Sequence, residues 1–136
     1  MSDRSEWAEL FLSSNGRLAR TPFLIASGVL LGFAVLYEAV TGVGRALNLL
    51  TGWLVYPVLL FSGACLLSKR LHDRGRSGWW SMLILIAVIA VWPRPDGFMD
   101  FAFSLVILWA IVELGVMGGE QGANRYGANP LKTISI

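Results

Sequence analysis

The amino-acid sequence predicts an all-α membrane protein: four transmembrane helices in an up-down bundle, both termini cytoplasmic, with a short N-terminal amphipathic helix ahead of the first span. Three observations carry that prediction. Of 136 residues, 55% are hydrophobic and only 15% are charged, whereas an ordinary soluble domain is about half apolar and about 25% charged. So few ionic groups do not furnish a polar shell for a soluble globule of this size. The charges fall in clusters separated by four long apolar stretches, and lysine and arginine are shared unevenly among those clusters. The length allows one domain, residues 1–136. Richness in aliphatic and aromatic side chains excludes a disordered chain. One Cys and one His exclude a disulfide framework and a Cys/His zinc cluster and leave little for a catalytic triad, so no metal and no cofactor is expected.

Taken in chain order, residues 5–12 place Trp7, Leu10 and Phe11 on one helical face with Glu6 and Glu9 elsewhere. That spacing suits a short helix lying on the inner leaflet or a segment docked against the bundle. Asn15-Gly16 is a turn pair, and Thr21 followed by Pro22 reads as N-cap and first helical position of span one, about residues 23–40. It follows a polar segment containing Asp3, Glu6 and Glu9 and lacks a cleavage pattern, so it reads as an anchor and not a signal. Span two, about 49–68, lies in a stretch without a charge from residue 46 onward; Pro57, midway, removes a backbone donor and predicts a kink.

Span three, about 78–93, is the shortest. The uncharged run of 17 residues from 77 to 93 spans roughly 25 Å of a core about 30 Å thick. Trp79, Trp80 and Trp92 at its two ends mark the water–lipid interfaces, and Ser77 reads as its cap. Span four, about 98–117, carries Asp100 and Glu113 near its ends, and a tail of residues 118–136 follows. Gly28 with Gly32, and Gly115 with Gly119, form small-xxx-small pairs of the kind that allow close helix approach.

Counting basic residues orients the bundle. Arg4, Arg17, Arg20, Lys69, Arg70, Arg74, Arg76, Arg125 and Lys132 lie on one side, against Arg45 and Arg94 on the other. Basic residues stay cytoplasmic, so both termini are expected inside. Intramembrane carboxylates are functional candidates by default: Glu38 is expected to be neutralised by Arg45, Asp100 sits at the outer edge, and Glu113 lies about one turn from the inner boundary, within reach of a loop arginine. Cys65 reads as packing. The net charge of +2 is too small, and the basic residues too interfacial, for nucleic acid.

Three polar stretches share the cytoplasmic face: NGRLAR (15–20), KRLHDRGRSGWW (69–80) and GGEQGANRYGANP (118–130). Gly16, Arg17 and Arg20, then Arg70 to Asp73 with Gly75 to Trp80, then Gly122, Asn124 to Gly127 and Pro130 match the pattern of a family of small bacterial inner-membrane proteins, domain of unknown function 805, which this sequence resembles from residue 15 to residue 130. Phe23-Leu24 stands where that family tends to have Phe-Trp, and Glu113 is a charge at a position usually apolar. The resemblance implies a four-span membrane protein and supplies no chemistry.

By topology the tail residues Asn124, Arg125 and Tyr126 fold back onto the 72–80 loop and the 16–20 segment, making one cap. The cap is either a structural lid or a ligand site. Arg17, Arg20, Arg70, His72, Asp73, Arg74, Arg76, Asn124, Arg125 and Tyr126 are its candidate ligand-binding or lipid-binding residues. Arginine suits bidentate phosphate contact, and a juxtamembrane basic cluster gains about 1 kcal/mol per residue at an anionic leaflet. Asp73 beside Arg70, Arg74 and Arg76 reads as a structural ion pair or a base, and His72 as a proton carrier or a packed ring. No Walker or GxGxxG pattern is present. The leading function is therefore a non-enzymatic protein of the lipid bilayer whose cap binds anionic lipid head groups or a partner protein. The alternatives are a subunit of a small oligomeric transporter or channel, assembled as a homo-oligomer or with a membrane protein partner, and a lipid-acting enzyme using His72 and Asp73.

Overall fold

The computed structural model describes residues 3–92 and 96–130. Among these the chain is helical: α1 (Asp3–Leu12), α2 (Arg20–Thr41), α3 (Arg45–Asp73), α4 (Trp80–Val91) and α5 (Phe98–Ala110), the last running on into a π-helical turn at Ile111–Val116. Arg94, Lys132, the Arg4 side chain, both chain ends and the end of the expected third span at residue 93 lie outside the described residues.

Three helices have the length and apolarity to cross a membrane, Arg20–Thr41, Arg45–Asp73 and Phe98–Val116. The helix in the third apolar run is shorter than expected, 12 residues or about 18 Å. Residues 77–79, read from sequence as its cap and first helical residues, instead form a separate turn closed by the Trp80 and Ser81 N–H groups on the Ser77 and Gly78 carbonyls at 3.3 and 2.9 Å. Ser77 Oγ accepts from the Trp79 N–H at 3.4 Å, so this serine serves the turn, and α4 itself has no side-chain cap.

The first span also starts earlier than Thr21-Pro22 indicated. Helix α2 begins at Arg20 with Ala19 in extended conformation before it, which places Pro22 at the third helical position. That position is equally free of an intrahelical N–H bond, so proline fits there without loss. Helix α3 stays continuous through Pro57.

Helix α2 packs on α3, α3 on α4, α4 on α5, and the π turn returns to α2, while α1 lies against α3. The buried apolar cluster draws Phe23 and Ala26 from α2, Leu66 and Leu71 from α3, Ile84 from α4, and Ala110 and Leu114 from the end of α5. Leu10 and Phe11 of α1 cover it. The outward faces invert the soluble pattern, with Ile25, Val29, Leu36, Leu50, Trp53, Phe61, Ile86, Phe101 and Leu108 all exposed. Contiguous apolar surface on that scale is tolerated where lipid is the solvent, and helices satisfy the backbone there without water.

At the α2–α3 turn, polar side chains tie the helices together. Tyr37 Oη and Thr51 Oγ1 lie 2.7 Å apart, and Asn48 Nδ2 donates to Thr41 Oγ1 at 2.8 Å and to Glu38 Oε1 at 3.5 Å. Glu38 thus takes an amide and forms no ion pair with Arg45 among the described residues. Of the glycine pairs, Gly28 and Gly32 have nothing within 4 Å of where a Cβ would stand, whereas Gly115 meets Leu24 at 3.4 Å. The first pair faces outward and makes no close helix contact within the chain.

Candidate functional site: an arginine-locked cap

Helices α3 and α5 deliver their C-terminal ends to the same end of the molecule, and α2 and α4 begin there. Each helix C-terminus leaves carbonyls without intrahelical partners, together with the negative end of the helix dipole. The cap is built on those carbonyls.

Gly75 terminates α3. Its φ of 73° is one that only glycine adopts without strain. It allows the Arg76 N–H to reach the Leu71 carbonyl at 2.8 Å and the Gly75 N–H to reach that of His72 at 3.0 Å, the paired bonds of a Schellman motif. The remaining carbonyls go to residues distant in sequence. Lys69 O accepts from the Leu18 N–H at 3.2 Å, Asp73 O from the Glu120 N–H at 2.7 Å, and His72 O from Asn124 Nδ2 at 2.9 Å.

At the end of α5 the donors are arginines. Arg70 gives Nε to Leu114 O at 2.7 Å and Nη2 to Met117 O at 2.6 Å. Arg20 Nη1 reaches Val116 O at 2.9 Å, and Arg74 Nη1 reaches Gly118 O at 2.5 Å.

Asp73 is the shared anion. Its Oδ1 pairs with Arg17 at 2.9 Å and its Oδ2 with Arg70. The Arg17 and Arg70 side chains are 1% and 0% exposed and that of Asp73 4%, so the triad is dry and each charge depends on the others. Arg17 also donates to the tail carbonyls of Glu120 at 2.6 Å, Gly122 at 2.7 Å and Gly127 at 3.3 Å. A second, wetter knot forms where Glu113 Oε1 accepts from Arg74 at 2.9 Å and Arg76 at 3.0 Å. The pairing of Glu113 with a loop arginine was legible from its depth in the span.

The tail closes over this network. Asn124 and Gly127 exchange backbone bonds at 3.0 Å, Asn124 Oδ1 accepts from the Tyr126 N–H at 2.9 Å, and Tyr126 stacks on His72 with ring centroids 3.8 Å apart. Arg125 covers the other side of the Tyr126 ring at 4.8 Å. His72 Nδ1 lies 2.9 Å from Gly16 O; a carbonyl only accepts, so Nδ1 carries the proton and Nε2 the lone pair of the neutral ring.

All ten sequence-predicted residues therefore meet in one cap, but in different conditions. Arg17, Arg70 and Asp73 are buried and saturated. Arg74 is mostly buried, with its nitrogens on Glu113 and Gly118. Arg20, Arg76 and Arg125 retain exposed surface. Sequence reasoning passed over Glu120, whose backbone and carboxylate both serve the cap, and read Gly119 as half of a helix-packing pair, whereas a Cβ there would overlap the Asp73 carboxylate. The paired glycines directly after a span were the available signal. Lys69, counted from sequence only among the cytoplasmic basic residues, is 6% exposed, and its Nζ donates to the Glu9 carbonyl and to that of Leu10 at 3.3 Å, capping α1.

Fold and site together define a helical, membrane-type protein whose ion pairs, among the described residues, gather at one end. The chain belongs to the family described as "Protein of unknown function (DUF805)", whose model matches residues 11–128. It is similar to "Uncharacterized protein YiiR" of Escherichia coli strain K12 and of Escherichia coli O157:H7, in each case 31% identical over 123 residues, covering 85% of this chain and 84% of the relative. No solved structure matches it.

Proposed function

We propose that this chain is a non-enzymatic, four-span protein of the bacterial inner membrane, both termini cytoplasmic, whose locked cap presents a basic rim to anionic lipid head groups. In this reading Arg17, Arg70, Asp73 and Asn124 build the platform, and Arg20, Arg76 and Arg125 are the contacts.

The observation that carries the reading is Arg76. Its side chain is 42% exposed and spends only Nε on Glu113; both terminal nitrogens are without a hydrogen bond among the described residues. The guanidinium stands 5.9 Å over the Trp109 ring, above a groove of about 440 Å³ lined by Trp80, Leu83, Leu105, Val106 and Trp109. A partly exposed guanidinium with two unspent nitrogens, over interfacial tryptophans and an aliphatic groove, matches a phosphate with its acyl chain. Counting α4 as the fourth span is supported by its packing on both α3 and α5 and by tryptophans at its ends; a short helix is matched by local bilayer thinning.

The acid–base alternative draws no support, since both Asp73 oxygens are held by guanidinium groups. The test is retention of phosphatidylglycerol by the purified protein. Wild type retains it in a salt-sensitive manner, and Arg20→Gln/Arg76→Gln/Arg125→Gln does not. Equal retention by both proteins refutes the lipid reading and leaves a partner protein as the rim's occupant.

A further inference from the structure

A second cavity is lined by residues other than Arg76. It is a cleft of about 440 Å³ between α3 and α4, closed at one end by the segment after α1 and by Tyr126 of the tail. Its volume falls within the range of about 300–1,000 Å³ typical of small-molecule sites. The two ends differ in chemistry. Phe61, Ala64, Cys65 and Met82 line the end toward the middle of the helices, while Ser68, Ser81, Ser77 and His72 line the end toward the cap.

The polar end is built around an absence of side chain. At Gly78 a Cβ would stand 3.0 Å from Ser68 Oγ and 3.2 Å from His72 Nε2, so glycine leaves those two groups facing one small space. Ser68 Oγ has only long bonds there, 3.5 Å to Gly78 O and 3.4 Å to Ser81 Oγ. His72 Nε2 has none among the described residues, and because Nδ1–H is committed to Gly16 O, Nε2 offers a lone pair. The end therefore supplies an acceptor and several hydroxyls. Of the neighbouring cations, Lys69 Nζ is held by the α1 carbonyls, and Arg125 stands over the Tyr126 ring at 4.8 Å without lining the cleft.

His72, Ser77, Gly78 and Trp79 of the loop motif and Tyr126 of the tail motif, far apart in sequence, all meet in this cleft. A structural lid has no need of an open space at their junction.

We propose that this cleft binds one uncharged, hydroxyl-bearing amphiphile of the monoacylglycerol kind. The chain lies along Phe61, Ala64, Cys65 and Met82, and a head-group hydroxyl donates to His72 Nε2 beside Ser68. Among the described residues no lysine or arginine lines the cleft, which separates the site chemically from the rim at Arg76.

The experiment uses the full chain in a nonionic detergent, titrated with monooleoylglycerol and followed by native mass spectrometry. One saturable molecule per chain is expected, with methyl oleate, which has no hydroxyl to donate, binding about tenfold more weakly, the loss of roughly one hydrogen bond. Gly78→Val fills the space between Ser68 and His72 and abolishes binding. Met82→Trp blocks the apolar end, away from the cap, and keeps the test decisive where Gly78→Val fails to fold. No saturable binding to wild type, equal binding of methyl oleate, or undiminished binding to Met82→Trp each overturns the proposal. Monooleoylglycerol reports the cleft and phosphatidylglycerol retention reports the rim, so either proposal fails without the other.

Discussion

Replacing Asp73 by Asn removes one unit of charge without changing the shape of the side chain, and it isolates the contribution of the buried triad. Arg17 and Arg70 are 1% and 0% exposed, so in the variant two guanidinium groups face each other with no anion between them. Breaking one side of a buried pair costs about 3–5 kcal/mol because the remaining charge stays desolvated. Here the lower end applies, since Arg70 keeps the carbonyls of Leu114 and Met117 and Arg17 those of Glu120 and Gly122. About 3 kcal/mol corresponds to a shift of roughly a hundredfold in the folding equilibrium. The assay is reversible unfolding in mixed micelles of dodecyl maltoside and dodecyl sulfate, followed by tryptophan fluorescence and compared at matched composition. A double-mutant cycle with Arg17→Met isolates the pair, because removing the second cation should restore part of the loss. A loss for Asp73→Asn below about 1 kcal/mol, in the range of an exposed pair, would refute the claim that the triad is dry and interdependent.

Further outcomes follow from the same geometry. Gly119→Ala drives a methyl into the Asp73 carboxylate, which two arginines hold in place; overpacking of this kind costs about 1–3 kcal/mol and is read in the same unfolding assay. Glu113→Gln removes the anion shared by Arg74 and Arg76. Those cations are partly exposed, so the expected loss is only about 1 kcal/mol, with the ordering Asp73→Asn more damaging than Glu113→Gln as the check. Tyr126→Ala removes the ring stacked on His72, a contact worth about 0.5–1.5 kcal/mol, and should release the tail to limited proteolysis, while Tyr126→Phe keeps it protected.

The comparison of sequence with structure separates two kinds of information. Residues whose partners are set by depth were legible: Glu113 finds loop arginines because both lie at the same level of the molecule. The folding of the Asn124–Tyr126 segment onto the loop was legible for the same reason, since both fall on one side of the apolar rods. Residues whose partners are backbone carbonyls were not. Arg17, Arg70 and Lys69 read as members of a basic string, and what consumes them are helix-end and tail carbonyls 44 to 110 residues away. A carbonyl has no sequence signature, so the demand for donors at a helix end is invisible until the helix ends are assembled.

The apolar lengths, the charge clusters and the turn residues were enough to determine the helices, the membrane character of the surface and the gathering of the motifs at one end, because hydropathy and turn chemistry are local properties of the chain. Only the tertiary structure decided which arginines are left over. Two helix C-termini arriving side by side require more hydrogen-bond donors than their own backbone provides, and this geometric demand, set by how α3 and α5 pack, buries Arg17 and Arg70 and leaves Arg76 partly exposed, with only its Nε on Glu113.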